Sequence, residues 1–218
     1  MFFDLDGLLV DTEPYYFEAA RSVFAEQGHA LSREEYAVRW IIRGTRMADE
    51  ALRLGIKADP DALVDEIRRR FRAMVDRELR LMPHARETLE RAAASFTTAL
   101  VTNTVPEEVE LILGKAGIRR YLHHLITRGE YPRPKPAPDC YLAAAQRVGC
   151  VPAECLALED AARGVRSAVG AGVPCVAVLN DMTRYEPPEG ALLTLNSLAD
   201  LDLDSLAANW GGNKSPGS

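Results

Sequence analysis

Residues 154–179 read ECLALEDAARGVRSAVGAGVPCVAVL, and their periodicity decides the fold. ECLALED starts as an apolar, strand-like run. AARGVRSAVGAG reads as a helix. VPCVAVL is the near-continuous apolar run of a strand buried on both faces. Two strands joined through a helix form a unit whose strands run parallel. The same alternation reaches back to residue 84. ETLERAAA is helical, TTALVT strand-like, and PEEVELILGKAG helical with Gly117 as its stop. HHLIT is strand-like and PDCYLAAAQRVG helical. ALLTL adds a further short strand. Strands alternating with helices of this length predict a doubly wound parallel α/β sheet covered on both faces.

The first 80 residues read differently. MFFDL is one short strand, and the following stretch is helical throughout. Phe17, Ala20 and Phe24 recur at helical spacing, as do Leu63, Ile67, Phe71 and Met74. Gly28, Gly55 and the pair Asp59-Pro60 punctuate it. The economical division is a Rossmann-like α/β core of residues 1–11 and 81–206 with an all-helical insert at 12–80. A small, polar tail at 207–218 is expected to be disordered.

Composition bounds the function. At 218 residues the chain can bury one sizeable core plus an insert. A net charge of −6 argues against nucleic-acid binding, which needs a basic footprint. The basic run EIRRRFRAMVDRELR is read as a solvated helix face. Cys140, Cys150, Cys155 and Cys175 form no C-x-x-C pair, which fits free thiols in a reducing, cytoplasmic setting. No run approaches the roughly 20 apolar residues of a membrane span, and no signal peptide is visible.

In open parallel sheets, ligands bind beyond the carboxyl ends of the strands. Strand one ends in Asp4, with Asp6 on the turn. TTALV ends in Thr102 and Asn103. HHLIT leads into a loop holding Lys135, and ECLAL ends in Glu159 and Asp160. Each has a plain alternative: Asp160 could be a helix N-cap, and Lys135 a surface lysine. Together they bring acids, a hydroxyl, an amide and an amine to one edge. Two like charges about 4 Å apart repel by roughly 4 kcal/mol at an effective dielectric near 20. Such a rim calls for a cation, and hard oxygen ligands suit Mg²⁺ with a substrate phosphate. Lys135 and Thr102 are then placed to contact phosphate oxygens, in a site for phosphoryl transfer.

These residues form a recognisable pattern. The chain resembles the haloacid dehalogenase superfamily, in its phosphatase and phosphomutase branch with a small helical cap. That branch includes phosphoglycolate phosphatase-like and β-phosphoglucomutase-like proteins. FDLDGLLVDTE is similar to the first motif, VTNT to the second, KPAPDCYL to the third and LEDAARGVRSAVGAG to the fourth. The four occur in order over nearly the whole chain. Pro134 stands before Lys135, where a small residue is more usual. Members that remove halide lack the second aspartate, so Asp6 argues against that activity.

The resemblance implies a Mg²⁺-dependent phosphatase of a small phosphorylated metabolite. Asp4 would be the nucleophile that forms an aspartyl-phosphate, and Asp6 the acid and base. Asp4, the Asp6 carbonyl and Asp160 would hold the metal, with Glu159 as a ligand or close partner. Lys135 would neutralise the transferring group, and Thr102 and Asn103 would position it. Asp11 is read as structural, capping the first helix together with Thr12. On the cap, IIRGTRMADEAL resembles the substrate-facing loop. Arg43 and Arg46 are candidates for a remote anionic group, and Gly44 for close backbone approach. Each arginine is equally readable as a solvated helix residue.

Two other readings stand beside this one. A phosphomutase would use the same core residues but carry a histidine on the first cap helix, where Tyr16 stands. A non-catalytic aspartate-phosphorylated receiver would lack the insert. The expected assembly is a monomer or a homodimer, with no membrane or nucleic-acid partner.

Overall fold

The computed structural model describes residues 1–184 and 187–210. Six short strands form one sheet: β1 (Phe2–Phe3), β2 (Ala99–Val101), β3 (His124–Ile126), β4 (Ala157–Glu159), β5 (Cys175–Val178) and β6 (Leu193–Leu195). Every neighbouring pair is parallel, in the order β3-β2-β1-β4-β5-β6. This is the doubly wound order expected from the alternation. Its topological switch point lies between β1 and β4, where the chain turns back and ligands bind in such sheets. Phe2 pairs with Ala99 on one side and Ala157 on the other, so Asp4 and Glu159 leave the sheet side by side.

Helices cover both faces. Between β1 and β2 the chain forms α1 (Glu13–Glu26), α2 (Arg33–Tyr36) running into a π-helical turn (Ala37–Ile42), α3 (Met47–Arg53) and α4 (Pro60–Arg77). The remaining helices are α5 (Ala85–Ser95), α6 (Pro106–Ala116), α7 (Asp139–Val148), α8 (Ala162–Gly170) and α9 (Leu203–Trp210). Helix α4 shows why residues 60–77 are helical. Asp59 accepts from the Asp61 N–H as N-cap, Pro60 occupies the first turn, and Leu63, Ile67, Phe71 and Val75 make one buried stripe. That stripe packs on α1. Gly117 ends α6 in the left-handed conformation at φ 64°, as its position predicts.

The helical insert joins the sheet through two adjacent segments. Asp11 N–H donates to the Arg80 carbonyl at 2.9 Å, and Met82 N–H to Leu9 at 3.0 Å. A single buried apolar cluster runs from Phe3, Leu5 and Leu158 through Leu9 and Val10 to Phe24, Trp40 and Phe71. The helices therefore share packing with the sheet. Helix α9 runs through Trp210, into the first residues of the stretch expected to be disordered. Residues 211–218 lie outside the described residues. No helix among the described residues is long and apolar enough to cross a membrane.

Candidate active site

The site grows from the ends of β1, β2 and β4. Asp4 N–H donates to the Leu158 carbonyl at 3.1 Å, which fixes the end of β1 to β4. The Asp4 carboxylate then meets Lys135 from the loop after β3, with Nζ to Oδ1 at 2.7 Å. The same ammonium donates to the Val101 carbonyl at 2.7 Å and to Glu159 Oε1 at 2.6 Å. All three of its hydrogens are thereby used. Burial opposes this ammonium, yet Asp4 and Glu159 outweigh it and raise the Lys135 pKa. Lys135 is thus a buried ion-pair centre and not a surface lysine.

The lysine loop is held by Asn103. Its Oδ1 accepts the Lys135 N–H at 3.0 Å, and Tyr131 donates its hydroxyl to the Thr102 carbonyl at 2.6 Å. The Asn103 amide therefore acts on the backbone of Lys135. The Thr102 hydroxyl donates to Thr104 Oγ1 at 3.1 Å, and Thr104 in turn donates to Asp6 Oδ2 at 2.5 Å. Thr12 donates to Asp6 Oδ1 at 2.7 Å. Two hydroxyls thus clamp the Asp6 carboxyl beside Asp4. Burial first, and then the Asp4 charge, raises the Asp6 pKa.

This arrangement corrects the capping expectation for Asp11 and Thr12. Thr12 is the N-cap of α1 but makes no side-chain capping bond, because its hydroxyl is committed to Asp6. Asp11 contributes its backbone N–H to Arg80, in the joint between sheet and helices. Nor does Asp160 cap α8, whose N-cap is Ala161.

Asp160 instead faces the rim. Its Oδ2 accepts from Asn180 Nδ2 at 2.8 Å, and the same amide donates to the Gly7 carbonyl at 2.9 Å. Gly7 sits at φ +78°, and a Cβ there would lie 2.2 Å from Asp160 Oδ2. Only glycine admits this turn and this carboxylate together. Gly164 does the same for Glu159, since its Cβ would lie 1.9 Å from Oε2. Tyr141 donates its hydroxyl to Glu159 Oε1. Burial, followed by the Asp4 charge, pushes both Glu159 and Asp160 upward.

Single carboxylate oxygens of Asp4, Glu159 and Asp160 lie within 4.8 Å of one another. Hard oxygen donors in a buried acidic rim fit Mg²⁺. Glu159 Oε1 is already taken by Lys135 and Tyr141. Among the described residues, Asp4 Oδ2, Asp160 Oδ1 and Glu159 Oε2 accept no hydrogen bond, so each of the three carboxylates keeps one oxygen for a cation.

A cavity of about 210 Å³ opens over this rim. Asp4, Asp6, Thr102, Asn103, Lys135, Glu159 and Asp160 all line it, as does Tyr16. Tyr16 stacks on Phe71 with ring centroids 3.7 Å apart and donates to Glu108 Oε2 at 2.9 Å. A larger cavity of about 400 Å³ lies on the other side of the joint, by Arg33 and Arg80, without Asp4, Asp6, Lys135 or Asp160.

The structure does not bring Arg43, Gly44 or Arg46 to the cavity. All three are exposed, and Arg46 pairs with Asp49 at 3.4 Å. Gly44 takes φ +69° in the turn that leaves the π-helical segment. The wider π turn changes which residues face inward, so Tyr36, Trp40 and Ile41 line the wall instead. Sequence reading also missed Thr104, Glu13, Arg163 and Asn180. Thr104 lies in the quoted VTNT and Glu13 in FDLDGLLVDTE, so those motifs carried a cue. Glu13 is buried and accepts from Tyr36 at 2.7 Å. Burial pushes its carboxyl up to about 7, with Arg163 and Tyr36 opposing.

Known proteins match this chain in sequence and in fold. The model of the haloacid dehalogenase-like hydrolases matches residues 1–172. Protein CbbY (plasmid) of Cupriavidus necator is 32% identical over 217 residues, covering 92% of this chain and 85% of its own. Fructose-1-phosphate phosphatase YqaB of Escherichia coli is 29% identical, covering 82% of this chain and 95% of its own. The crystal structure of a CbbY variant from Rhodobacter sphaeroides in complex with xylulose-(1,5)-bisphosphate superposes with a TM-score of 0.80 at 26% identity, over 92% of this chain and 95% of that one.

Proposed function

Because the chain belongs to the haloacid dehalogenase-like hydrolases, we propose that it is a Mg²⁺-dependent phosphatase of a small phosphorylated carbohydrate, acting through an aspartyl-phosphate on Asp4. One observation carries the reading. Asp4 stands at the switch point with a buried ammonium on one oxygen, the other oxygen uncommitted, the carboxylates of Glu159 and Asp160 within 4.8 Å, and a clamped carboxyl, Asp6, beside it. The name of the relative fructose-1-phosphate phosphatase, and the xylulose-(1,5)-bisphosphate held by the CbbY variant, support a sugar phosphate as substrate.

The chemistry follows from these groups. An Asp4 oxygen attacks phosphorus, and the ester P–O bond breaks. Asp6, whose protonated form burial and the Asp4 charge favour, gives its proton to the departing alkoxide. Asp6 then takes a proton from water, the water oxygen attacks phosphorus, and the bond to Asp4 breaks to release phosphate. Lys135 holds Asp4 in line and offsets the charge that builds on the phosphoryl group. Asp4 and Asp160 would hold Mg²⁺, which when bound supplies the positive charge that lets two anions approach. Residues 12–80 act as a cap that excludes bulk water from the cavity.

Tyr16 supports hydrolysis over phosphomutase chemistry. It stands where a mutase of this branch would carry histidine. Burial and Glu108 raise its pKa well above the ordinary phenol value, so it exchanges no proton near neutral pH. The test is phosphate release from a panel of phosphorylated metabolites with Mg²⁺ and with EDTA. Turnover that needs Mg²⁺ and is greatest for sugar monophosphates is expected. A metal-independent rate, or none on any phosphomonoester, would overturn the reading.

A further inference from the structure

Arg163, the second residue of α8, lines the cavity with Asp4 and Asp6. Among the described residues its guanidinium makes no hydrogen bond and no ion pair within 4.0 Å, although its field is felt by Glu13, Asp4, Asp160 and Asp6. Five N–H donors fixed in a fork are thus left without acceptors at the edge of a reaction site. A second donor also lacks a partner. Trp40 lines the same cavity and is 6% exposed, and its Nε1 is the buried side-chain polar atom without a partner among the described residues. It lies on the π-helical turn that packs against α8. An enclosed donor without an acceptor, as at Trp40 Nε1, is rare and costs about 1–3 kcal/mol, whereas Arg163 is half-buried and its donors open onto the cavity.

The charge around the cavity limits what could satisfy them. Asp4, Asp6, Glu13, Glu108, Glu159 and Asp160 line it, against Lys135, Arg68 and Arg163. The transferring phosphate adds further negative charge at Asp4. A second phosphate beside Arg163 would bring its charge into the same small cavity as the transferring phosphate, which like charges oppose. Neutral oxygens carry no such penalty. The cavity, about 210 Å³, is also smaller than the roughly 300–1,000 Å³ of sites for drug-sized ligands.

We propose that Arg163, with the Trp40 indole N–H, is the specificity-determining element of the cavity, reading hydroxyl or carbonyl oxygens on the leaving group of a compact, singly phosphorylated polyol. This rests on the phosphatase reading and narrows it. It sets the chain apart from the relative that holds a bisphosphate.

The test compares kcat and KM of the full chain, Arg163→Gln, Arg163→Lys and Trp40→Phe on three substrates. These are a polyol monophosphate, a ketose bisphosphate and an aryl phosphate whose leaving group has no hydroxyls. Arg163→Gln is expected to lower kcat/KM for the polyol monophosphate by about 10–100-fold, chiefly through KM, and by at least about tenfold more than for the aryl phosphate. Arg163→Lys should recover part of the loss. Trp40→Phe keeps the ring that packs on Tyr36 and Phe24, and should show the same selective loss at about 2–10-fold. If Arg163→Gln does not fold, Trp40→Phe decides the same split. Equal losses on the aryl and polyol phosphates would overturn the proposal and leave the phosphatase reading standing. A loss confined to the bisphosphate would overturn it in favour of a second anion. A parent chain inert toward all three would overturn the phosphatase reading, and the proposal with it.

Discussion

At the strand ends, each hydrogen of the Lys135 ammonium has an acceptor, while in the helices above them the Trp40 N–H has none among the described residues. The two walls of one cavity are built to different standards. Asp6 is clamped by two hydroxyls, and Glu159 by Lys135 and Tyr141. On the helical wall, Arg68 is exposed at the surface. The contrast separates two tasks. Chemistry common to phosphate esters needs groups fixed in advance by a rigid sheet. Choice among esters needs groups whose partners arrive with the substrate.

The contrast can be broken by removing what each wall relies on. The largest effect belongs to the rim. Lys135→Met leaves Asp4 and Glu159 buried and uncompensated, and should cost about 3–5 kcal/mol of stability in urea unfolding. A loss below about 1 kcal/mol would mean that the triad is not structural.

Glu13 ties the walls together through Tyr36, and its carboxyl is raised from 4.5 to about 7, by burial first. Between these values the folded chain keeps a proton that the unfolded chain has released. Its contribution is therefore full below pH 4.5 and is lost as pH rises through 7. From pH 4.5 to 7.5 the parent should lose up to about 3 kcal/mol more stability than Glu13→Gln. Parallel pH profiles for the two would contradict this account.

Asp160→Ala should weaken the apparent Mg²⁺ affinity of turnover by about 10–100-fold, read from a Mg²⁺ titration of the rate. An unchanged titration would move the cation away from Asp160. The smallest effect falls on the helices. Tyr16→Phe keeps the stack on Phe71 and removes the bond to Glu108, at a cost of about 1 kcal/mol in thermal or urea unfolding. A cost of 3 kcal/mol or more would place Tyr16 among the tightly fixed groups.

The same contrast explains what was legible in the sequence. The parallel sheet and the strand-end acids could be read because the alternation is regular and each strand delivers its last residue to one edge. Asp4, Thr102, Glu159 and Asp160 owe their positions to that rule. Gly7 and Gly164 stand beside the acids because the carboxylates leave no room for a Cβ. The inward face of the helices could not be read in this way. The π-helical turn at Ala37–Ile42 departs from the 3.6-residue period, so it presents Trp40 and Ile41 beside Tyr36 of α2 while Arg43 and Arg46 stay in solvent. Thr12 shows a similar limit, because a hydroxyl at an N-cap gives no sign that a distant carboxyl, Asp6, will claim it.

The central claim is that Asp4 carries the phosphoryl group. Mixing the full chain with Mg²⁺ and an excess of a radiolabelled phosphate ester that it hydrolyses, quenching in acid within the first turnovers and mapping the peptides tests it directly. The account predicts label on the tryptic peptide of residues 1–21, localised to Asp4. Asp4→Asn should take up no label and release phosphate about 10³-fold more slowly or worse. Label on another residue, or steady hydrolysis by Asp4→Asn at a rate near that of the parent, would contradict it.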